Sequence, residues 1–269
     1  HYIQLVHSVG SSIPVRWSRP RVVIGIPSAV TEVERRAVWE AALSSGAREA
    51  FLIEEPMAAA VGEGISIFQP TGAMMVDIGG GTTEIAIISL GGIVVGRSLK
   101  VAGYDMDHAI AHYIRLRHGL ILGEKSAEEL KIKIGSAYES AKGAHKEDKR
   151  EKLAVVRGRD IESGLPKSLR ITEVEVREAL STIIAQIING ISDVLEEAPP
   201  ELTGDILENG IFLTGGGSML PGLDHLIVER THIPVIRSED PLTSVVRGTG
   251  KVLEDEALLQ RVKVIGGLK

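Results

Sequence analysis

The apolar residues of this chain fall into short runs whose spacing alternates between that of buried strands and that of helices. The segments 21–26, apolar after Arg21, and 51–53 are typical of buried parallel strands. Between them, the capping box at residues 31–34 predicts a helix that ends near Gly46, and an alanine-rich helix follows and closes at Gly62. Strands that alternate with helices in this way predict an α/β fold.

A similar order recurs towards the C-terminal end of the sequence. Residues 211–213 and 235–236 are predicted as strands with a helix at 219–229 between them, and the acidic pair and proline at 239–241 open a helix that closes at Gly248. The recurrence indicates two related α/β halves. Nucleotides typically bind in the crevice between such halves, at the carboxyl ends of the strands.

The segment between these halves mixes helices with a pair of strands. Helices are predicted at about 105–118 and 126–135, and a long one at 174–197. The mixed charges of residues 142–152 predict a solvated loop or hairpin tip, because such charges favour contact with water. Two further apolar runs are expected to pair as strands beside this tip, at residues 153–156 and 169–171.

The composition narrows the possible functions. A length of 269 residues with 43% hydrophobic content supports a large buried core, and a net charge of −6 without a basic stripe argues against nucleic-acid binding. The absence of cysteine excludes disulfides and thiolate metal sites and fits a cytoplasmic protein. Since the sequence starts at His1 with what looks like the buried side of a helix, we expect an N-terminal portion to be missing.

The strongest chemical signal is the glycine-rich segment 77–83, which lies between two strand-like runs. Its three glycines let the backbone turn tightly and bring bare N–H groups close to an anion. The hydroxyls of Thr82 and Thr83 add donors, and Asp77 can hold a hydrated Mg²⁺ beside a phosphate. An ordinary glycine hairpin needs neither the acid nor two threonines, so the segment predicts a phosphate site.

A second glycine-rich loop occupies residues 214–218, after the strand-like run that ends at 213 and before a helical pattern. The alternative for this loop is a strand-to-helix turn without a ligand. Because two such loops occur on one chain, we favour a nucleotide as the ligand.

These segments together resemble the actin-like ATPase superfamily and, within it, the MreB family of bacterial actins that direct cell shape. The resemblance covers essentially the whole chain. Its most specific stretches are residues 34–36, 51–60, 76–83, 134–138, 199–202 and 240–243. It implies duplicated actin-like (ribonuclease H-like) α/β domains around a nucleotide cleft, with the first half incomplete.

The resemblance also implies how the chain is divided. Residues 1–70 would be the remainder of the first half, residues 71–250 the second half with a small subdomain inserted at about 120–172, and residues 251–269 a segment that returns towards the first half. The family's first phosphate loop, Asp-x-Gly-Thr, is absent, so one wall of the phosphate site is missing. Tyr104 stands where MreB proteins usually carry an acidic residue, in a region expected to lie near the nucleotide.

Site residues of the family carry over onto matching positions. Asp77 would hold Mg²⁺ through water, and Glu55 would position or activate the attacking water. Glu128 and Lys131, three apart on one helix face, would reach the ribose and adenine. The alternatives are a surface ion pair for these two residues and helix N-terminal charge complementarity for Glu55. The residues implied to contact ATP are Gly79, Gly80, Gly81, Thr82, Thr83, Glu128, Lys131, Gly215, Gly216, Gly217 and Ser218.

One further loop concerns a membrane. In the family, the corresponding loop inserts apolar side chains into the inner face of the cell membrane. Val15 and Trp17, flanked by Arg16 and Arg19, suit the headgroup boundary and anionic lipids. The alternative is a loop tryptophan that folds over the core beside the helix of Trp39.

The resemblance implies an MreB-like bacterial actin, cytoplasmic and peripheral at the inner face of the cell membrane. It would polymerise with ATP and Mg²⁺ into membrane-associated filaments that direct cell shape and wall elongation, with slow ATP hydrolysis if the nucleotide site is complete. Its partners would be further copies of itself, the membrane surface and membrane proteins of the cell-wall elongation machinery. The alternatives are a truncated, nucleotide-incompetent scaffold and another actin-superfamily ATPase of the chaperone or sugar-kinase type.

Overall fold

The computed structural model describes residues 19–138 and 152–264. The described chain opens with two parallel strands, β1 (Arg21–Ile26) and β2 (Glu49–Glu54). Helix α1 (Glu32–Ser44) connects them and begins with the predicted capping box, in which hydroxyl and carboxylate each accept a hydrogen bond from the other residue's N–H.

The next part of the chain holds the first glycine-rich loop between two antiparallel strands. Its elements are α2 (Glu55–Gly62), β3 (Ala73–Ile78), β4 (Thr83–Ser89) and β5 (Gly92–Leu99). All thirteen residues of β3 and β4 are buried, which explains their nearly continuous apolar sequence.

A mixed segment follows, in which helices alternate with a small antiparallel sheet. Its elements are α3 (Gly103–His118), β6 (Leu120–Ile121), α4 (Glu124–Ile134), β7 (Leu153–Asp160), β8 (Pro166–Thr172), α5 (Glu173–Glu197) and α6 (Pro200–Asn209). The pairing of β7 with β8 confirms the strand pair predicted from the sequence and extends it to seven residue pairs.

The last part returns to the α/β pattern. Its elements are β9 (Ile211–Thr214), a short 3₁₀ helix (Gly216–Met219), α7 (Leu223–Thr231), β10 (Val235–Arg237), α8 (Ser244–Glu254) and α9 (Glu256–Val262). Two predicted helices are therefore wrong in extent. The helix predicted at 219–229 begins at Leu223, and the one predicted to close at Gly248 begins at Ser244 and runs through that glycine.

The central sheet brings the two glycine-rich loops together. Its strand order is β10-β9-β3-β4-β5, and β3 is parallel to β9 with Asp77 opposite Thr214. Because parallel strands end at the same edge of a sheet, the loops that follow Asp77 and Thr214 leave side by side.

Two apolar clusters fill the described structure. The larger lies between the central sheet, helices α3 to α5 and the small sheet, and the smaller packs α2 and β2 against α8 and α9. Helices α2 and α8 approach so closely that a Cβ at Gly62 would lie 1.9 Å from the Ser244 carbonyl oxygen, and one at Gly248 would lie 1.8 Å from that of Ala58. Gly248 therefore lies inside helix α8, where it allows close packing against α2, and does not end the helix.

Two predictions fall outside the described residues. They are the membrane loop with Val15 and Trp17 and most of the charged tip, residues 142–151. Within the described residues, no helix has both the length and the apolar character that a membrane span requires.

Candidate functional site

A cavity of about 600 Å³ lies where the two glycine-rich loops meet α3 and α4. Its lining includes six of the residues predicted to contact a nucleotide: Gly79, Gly80, Glu128, Lys131, Gly216 and Gly217. Residues that are far apart in the sequence thus form one cleft, and its volume lies in the usual range for small-molecule sites, about 300–1,000 Å³.

The first loop presents free backbone donors. The Gly79 N–H donates to the Thr82 carbonyl oxygen at 2.9 Å, which closes the turn. The N–H groups of Gly80, Gly81 and Thr82 have no acceptor within the described part of the chain, and both of these glycines are exposed. Successive unpaired amides of this kind form a concave anion-binding surface.

The start of helix α3 fixes this loop from one side. The N–H groups of Gly103 and Tyr104 donate to the carbonyl oxygens of Gly79 and Gly80, at 3.1 and 2.8 Å. The Asp105 carboxylate caps the same helix by accepting from the Ala102 N–H at 2.9 Å. The carbonyl groups of Gly79 and Gly80 are thereby occupied, while the amides of Gly80, Gly81 and Thr82 keep no acceptor among the described residues.

The second loop is built for close packing. Gly215 has φ +83°, and a Cβ there would lie 2.3 Å from the Ile78 carbonyl oxygen and 2.5 Å from Oδ1 of Asp77. A Cβ at Gly217 would lie 2.3 Å from Cγ2 of Ile78. Only glycine lets this loop pass so close to the end of β3.

Asp77 lies between the two loops as a buried carboxylate, 7% exposed. Its Oδ1 accepts a hydrogen bond from the Thr214 hydroxyl at 3.1 Å. Burial raises the pKa of Asp77 to about 6, and the nearby Glu84 carboxylate adds to the rise against the opposing effect of Thr214. Of the described residues, only this neutral hydroxyl donates to the Asp77 side chain.

Glu55 is the first residue of α2, at the end of β2, and is half-buried. Burial raises its pKa to about 7, with further contributions from the carboxylates of Asp77 and Glu84. A carboxylate with a pKa near 7 can accept a proton from water at neutral pH. The adjacent Glu54 has its pKa raised by burial too, but Arg35 opposes that effect.

Sequence reasoning missed Glu84, a fully buried carboxylate in β4. One of its oxygens accepts from the Ser28 N–H at 3.0 Å, and the other accepts from the Ser98 hydroxyl. It thereby connects the loop after β1 with β5. The signal in the sequence is a single acid inside an otherwise apolar strand, because such an acid is rarely buried without a specific role.

The opposite wall of the cavity carries an ion pair. Nζ of Lys131 lies 2.8 Å from Oδ1 of Asp107 and also donates to the Gly103 carbonyl oxygen at 2.9 Å. The two side chains are only 15% and 10% exposed, and burial raises the pKa of Asp107 while Lys131 opposes the rise. The alternative pairing of Lys131 with Glu128 is not observed, and Glu128 stays exposed on the rim.

Two predicted residues point away from the cavity. Thr83 is fully buried and its hydroxyl donates to the Val101 carbonyl oxygen at 2.7 Å. The Ser218 hydroxyl is buried as well and donates to the Gly215 carbonyl oxygen at 2.6 Å. Both hydroxyls hold a glycine-rich loop in shape, which is a supporting role.

Comparison with known proteins identifies the family. The sequence profile described as "MreB/Mbl protein" matches residues 3–261. The chain belongs to the MreB/Mbl family. Among curated relatives, MreB of Escherichia coli K12 is 47% identical over 254 residues, 94% of this chain and 70% of that protein. Mbl of Bacillus subtilis 168 is 44% identical over 248 residues, which are 92% of this chain and 72% of that protein. Both relatives are cell shape-determining proteins.

Solved structures confirm the predicted actin-like fold of this MreB/Mbl chain. MreB5 of Spiroplasma citri bound to AMPPNP is 37% identical with a TM-score of 0.86, over 97% of this chain and 75% of that one. Its ADP complex is 36% identical with a TM-score of 0.85, over 96% and 75%. The MamK double helical filament, 22% identical with a TM-score of 0.75 over 94% and 73%, supports the fold alone.

Proposed function

We propose that this chain is an MreB-like actin that binds ATP with Mg²⁺ in the cleft and polymerises under the control of the bound nucleotide. The observation that carries the proposal is the cavity between the two glycine-rich loops, with free amides on one side and a buried carboxylate behind them. The Spiroplasma citri relative was solved with ADP and with AMPPNP, which supports the same ligand class here.

The free amides of Gly80, Gly81 and Thr82 bind the phosphates in this proposal. Asp77 fits Mg²⁺ because it is a buried carboxylate with a single neutral donor and Mg²⁺ prefers carboxylate oxygens, directly or through water. When bound, the ion neutralises the phosphate charge that would otherwise repel this carboxylate.

Glu55 orients the attacking water and accepts its proton, since it lies at the start of α2 within electrostatic reach of Asp77. The adenosine lies along the wall formed by Lys131 and Glu128, against the apolar side chains of Met219 and Leu242. Lys131 is held in place by Asp107, so its position is set before a ligand arrives.

The cellular role follows from family membership. We propose membrane-associated filaments that direct cell shape and wall elongation, with further copies of the chain, the inner membrane surface and membrane proteins of the elongation machinery as partners. The names of the curated relatives support the role in cell shape. The membrane contact is assigned to Val15 and Trp17.

Calorimetric titration of the chain with ATP and Mg²⁺ tests the nucleotide site. We expect micromolar binding, weakened at least about tenfold by Asp77→Asn because a neutral amide attracts Mg²⁺ less strongly than a carboxylate does. Asp193→Asn is the matched control, since Asp193 pairs with Arg97 on β5 and does not line the cavity. Failure of the unchanged chain to bind at millimolar ATP would instead support the nucleotide-independent scaffold.

Electron microscopy and vesicle flotation test the remaining parts of the proposal. We expect filaments with ATP and Mg²⁺, and flotation with vesicles of anionic lipids that is lost in Trp17→Ser. Flotation that persists in this variant would show that the tryptophan covers the core instead.

Steady-state ATP turnover tests the assignment of Glu55. Glu55→Gln is expected to lower kcat by about 100-fold or more, since removal of a general base typically costs 10²–10⁴ in rate. ADP affinity should stay unchanged. Glu54→Gln is the matched control, because the neighbouring acid faces Arg35. Equal losses in both variants would contradict the assignment.

A further inference from the structure

Tyr104 lies directly on the first glycine-rich loop. A Cβ at Gly80 would lie 3.0 Å from Cζ of the ring and 3.3 Å from its hydroxyl oxygen, and a Cβ at Gly81 would lie 3.9 Å from the ring. The backbone N–H of Tyr104 also donates to the Gly80 carbonyl oxygen at 2.8 Å. The hydroxyl end of the ring therefore lies beside the loop.

The ring lines the cavity and is largely open to it. The side chain is 65% exposed although it is a large aromatic group, and its hydroxyl has no hydrogen-bond partner within residues 19–138 and 152–264. Another tyrosine of the same helix behaves differently, since the Tyr113 hydroxyl donates to Oε2 of Glu178 at 2.7 Å. Tyr104 thus places an unused donor beside the first glycine-rich loop.

The Tyr104 hydroxyl lies next to other unpaired hydrogen-bond donors, the backbone amides of the loop. The unpaired amides of Gly80 and Gly81 belong to the part of the loop that lies beside the ring, so an anion held by these amides would lie near the phenol hydroxyl. A tyrosine hydroxyl is neutral and can donate to a phosphate oxygen without adding charge. Hydrogen bonds to charged acceptors are stronger than those between neutral groups.

We propose that Tyr104 is a further nucleotide-binding residue, whose hydroxyl donates to the phosphate chain held by the first glycine-rich loop. The inference rests on the proposed function, because it assumes that this loop binds phosphate. The inference predicts a specific selectivity: the hydroxyl increases the affinity for phosphorylated nucleotides and does not affect the affinity for adenosine.

The test is the affinity of Tyr104→Phe for ADP with Mg²⁺ and for adenosine, measured by calorimetry. The variant keeps the ring on Gly80 and removes only the hydroxyl. We expect the Kd for ADP to rise about tenfold, as for a lost hydrogen bond to a charged group, and the Kd for adenosine to stay unchanged. Tyr113→Phe is the matched control and should leave both values unchanged, because its hydroxyl lies outside the cavity.

Three outcomes would overturn the inference. ADP affinity of Tyr104→Phe within twofold of the unchanged chain would remove the hydroxyl from the site while leaving the proposed nucleotide binding intact. An equal loss for ADP and adenosine would assign the effect to the ring or the fold, and thermal unfolding of the variant separates these two causes. If the unchanged chain binds no ADP, the proposed function and the inference fail together.

Discussion

The two glycine-rich loops look alike in the sequence and use glycine for opposite reasons. In the first loop, Gly80 and Gly81 are exposed, and their amides have no acceptor among the described residues. In the second, Gly215 and Gly217 leave no room for a Cβ, because the end of β3 lies against them. One loop uses glycine to leave its backbone exposed, and the other uses it to pack its backbone against a neighbour.

The largest expected effect tests the second loop. Gly215→Ala should lower the free energy of unfolding by about 3 kcal/mol or more, because alanine is strained at φ +83° and its Cβ would overlap the Ile78 carbonyl oxygen. Chemical denaturation measures the change. Gly64→Ala is the matched control, with φ +77° and no atom within 4 Å of the added Cβ, and should cost only about 1 kcal/mol. Equal costs at both glycines would remove close packing as the reason for Gly215.

A smaller effect on the free energy of unfolding is expected at Asp77, which lies between the two loops. Its carboxyl holds a proton up to about pH 6 in the native state, against an ordinary pKa of 3.8, so the native state binds more protons between these values. The stability of the unchanged chain therefore falls as the pH rises through this range. Asp77→Asn avoids the buried charge and should be more stable by up to about 3 kcal/mol at pH 7.5, with no difference near pH 3.

Urea unfolding at several pH values checks the effect at Asp77. A difference between the two proteins that does not change with pH would show that burial of the charge is not its cause. The same substitution is expected to weaken Mg²⁺-nucleotide binding. Asp77→Asn would therefore raise the stability of the chain while it lowers the affinity for its ligand.

The smallest effect on stability is expected in the first loop. Gly81→Ala adds a Cβ whose nearest atom, 3.9 Å away, is in the Tyr104 ring, so the free energy of unfolding should change by less than about 0.5 kcal/mol. ADP affinity should nevertheless fall about tenfold, because the methyl group obstructs the close approach of phosphate to the backbone. A large loss of stability here would mean that the two loops do not differ in the way described.

Local signals in the sequence were sufficient for much of the fold. The α/β class, the capping box of α1 and the pairing of β7 with β8 are confirmed. These features depend on residues that are close together in the chain or on the period of apolar positions. Both kinds of signal can be recognised without knowledge of the tertiary structure. The end of α8 was predicted wrongly because Gly248 resembles a helix stop signal, whereas in the structure it packs α8 against α2.

The cleft was predicted only in part, because some of its features have a local signal in the sequence and others depend on contacts between distant elements. Glycine, acid and threonine in one short segment identify the first loop without any tertiary information. The pairing of Lys131 with Asp107 and the bridge made by Glu84 depend on which elements lie side by side, so residue spacing alone could not reveal them. The buried hydroxyls of Thr83 and Ser218 make the same point, since only the structure shows that they donate to nearby carbonyl groups.

The close contact of α2 with α8 sets an order of events during synthesis on the ribosome. The Lys251 ammonium donates to the Val61 carbonyl oxygen across 190 residues, and Gly62 and Gly248 meet in the same contact. Helix α2 and the strands before it therefore emerge long before the helix that covers them. At roughly 5–20 residues per second, they wait about ten seconds or more with an apolar face uncovered. During this interval the uncovered apolar face is open to contact with other chains.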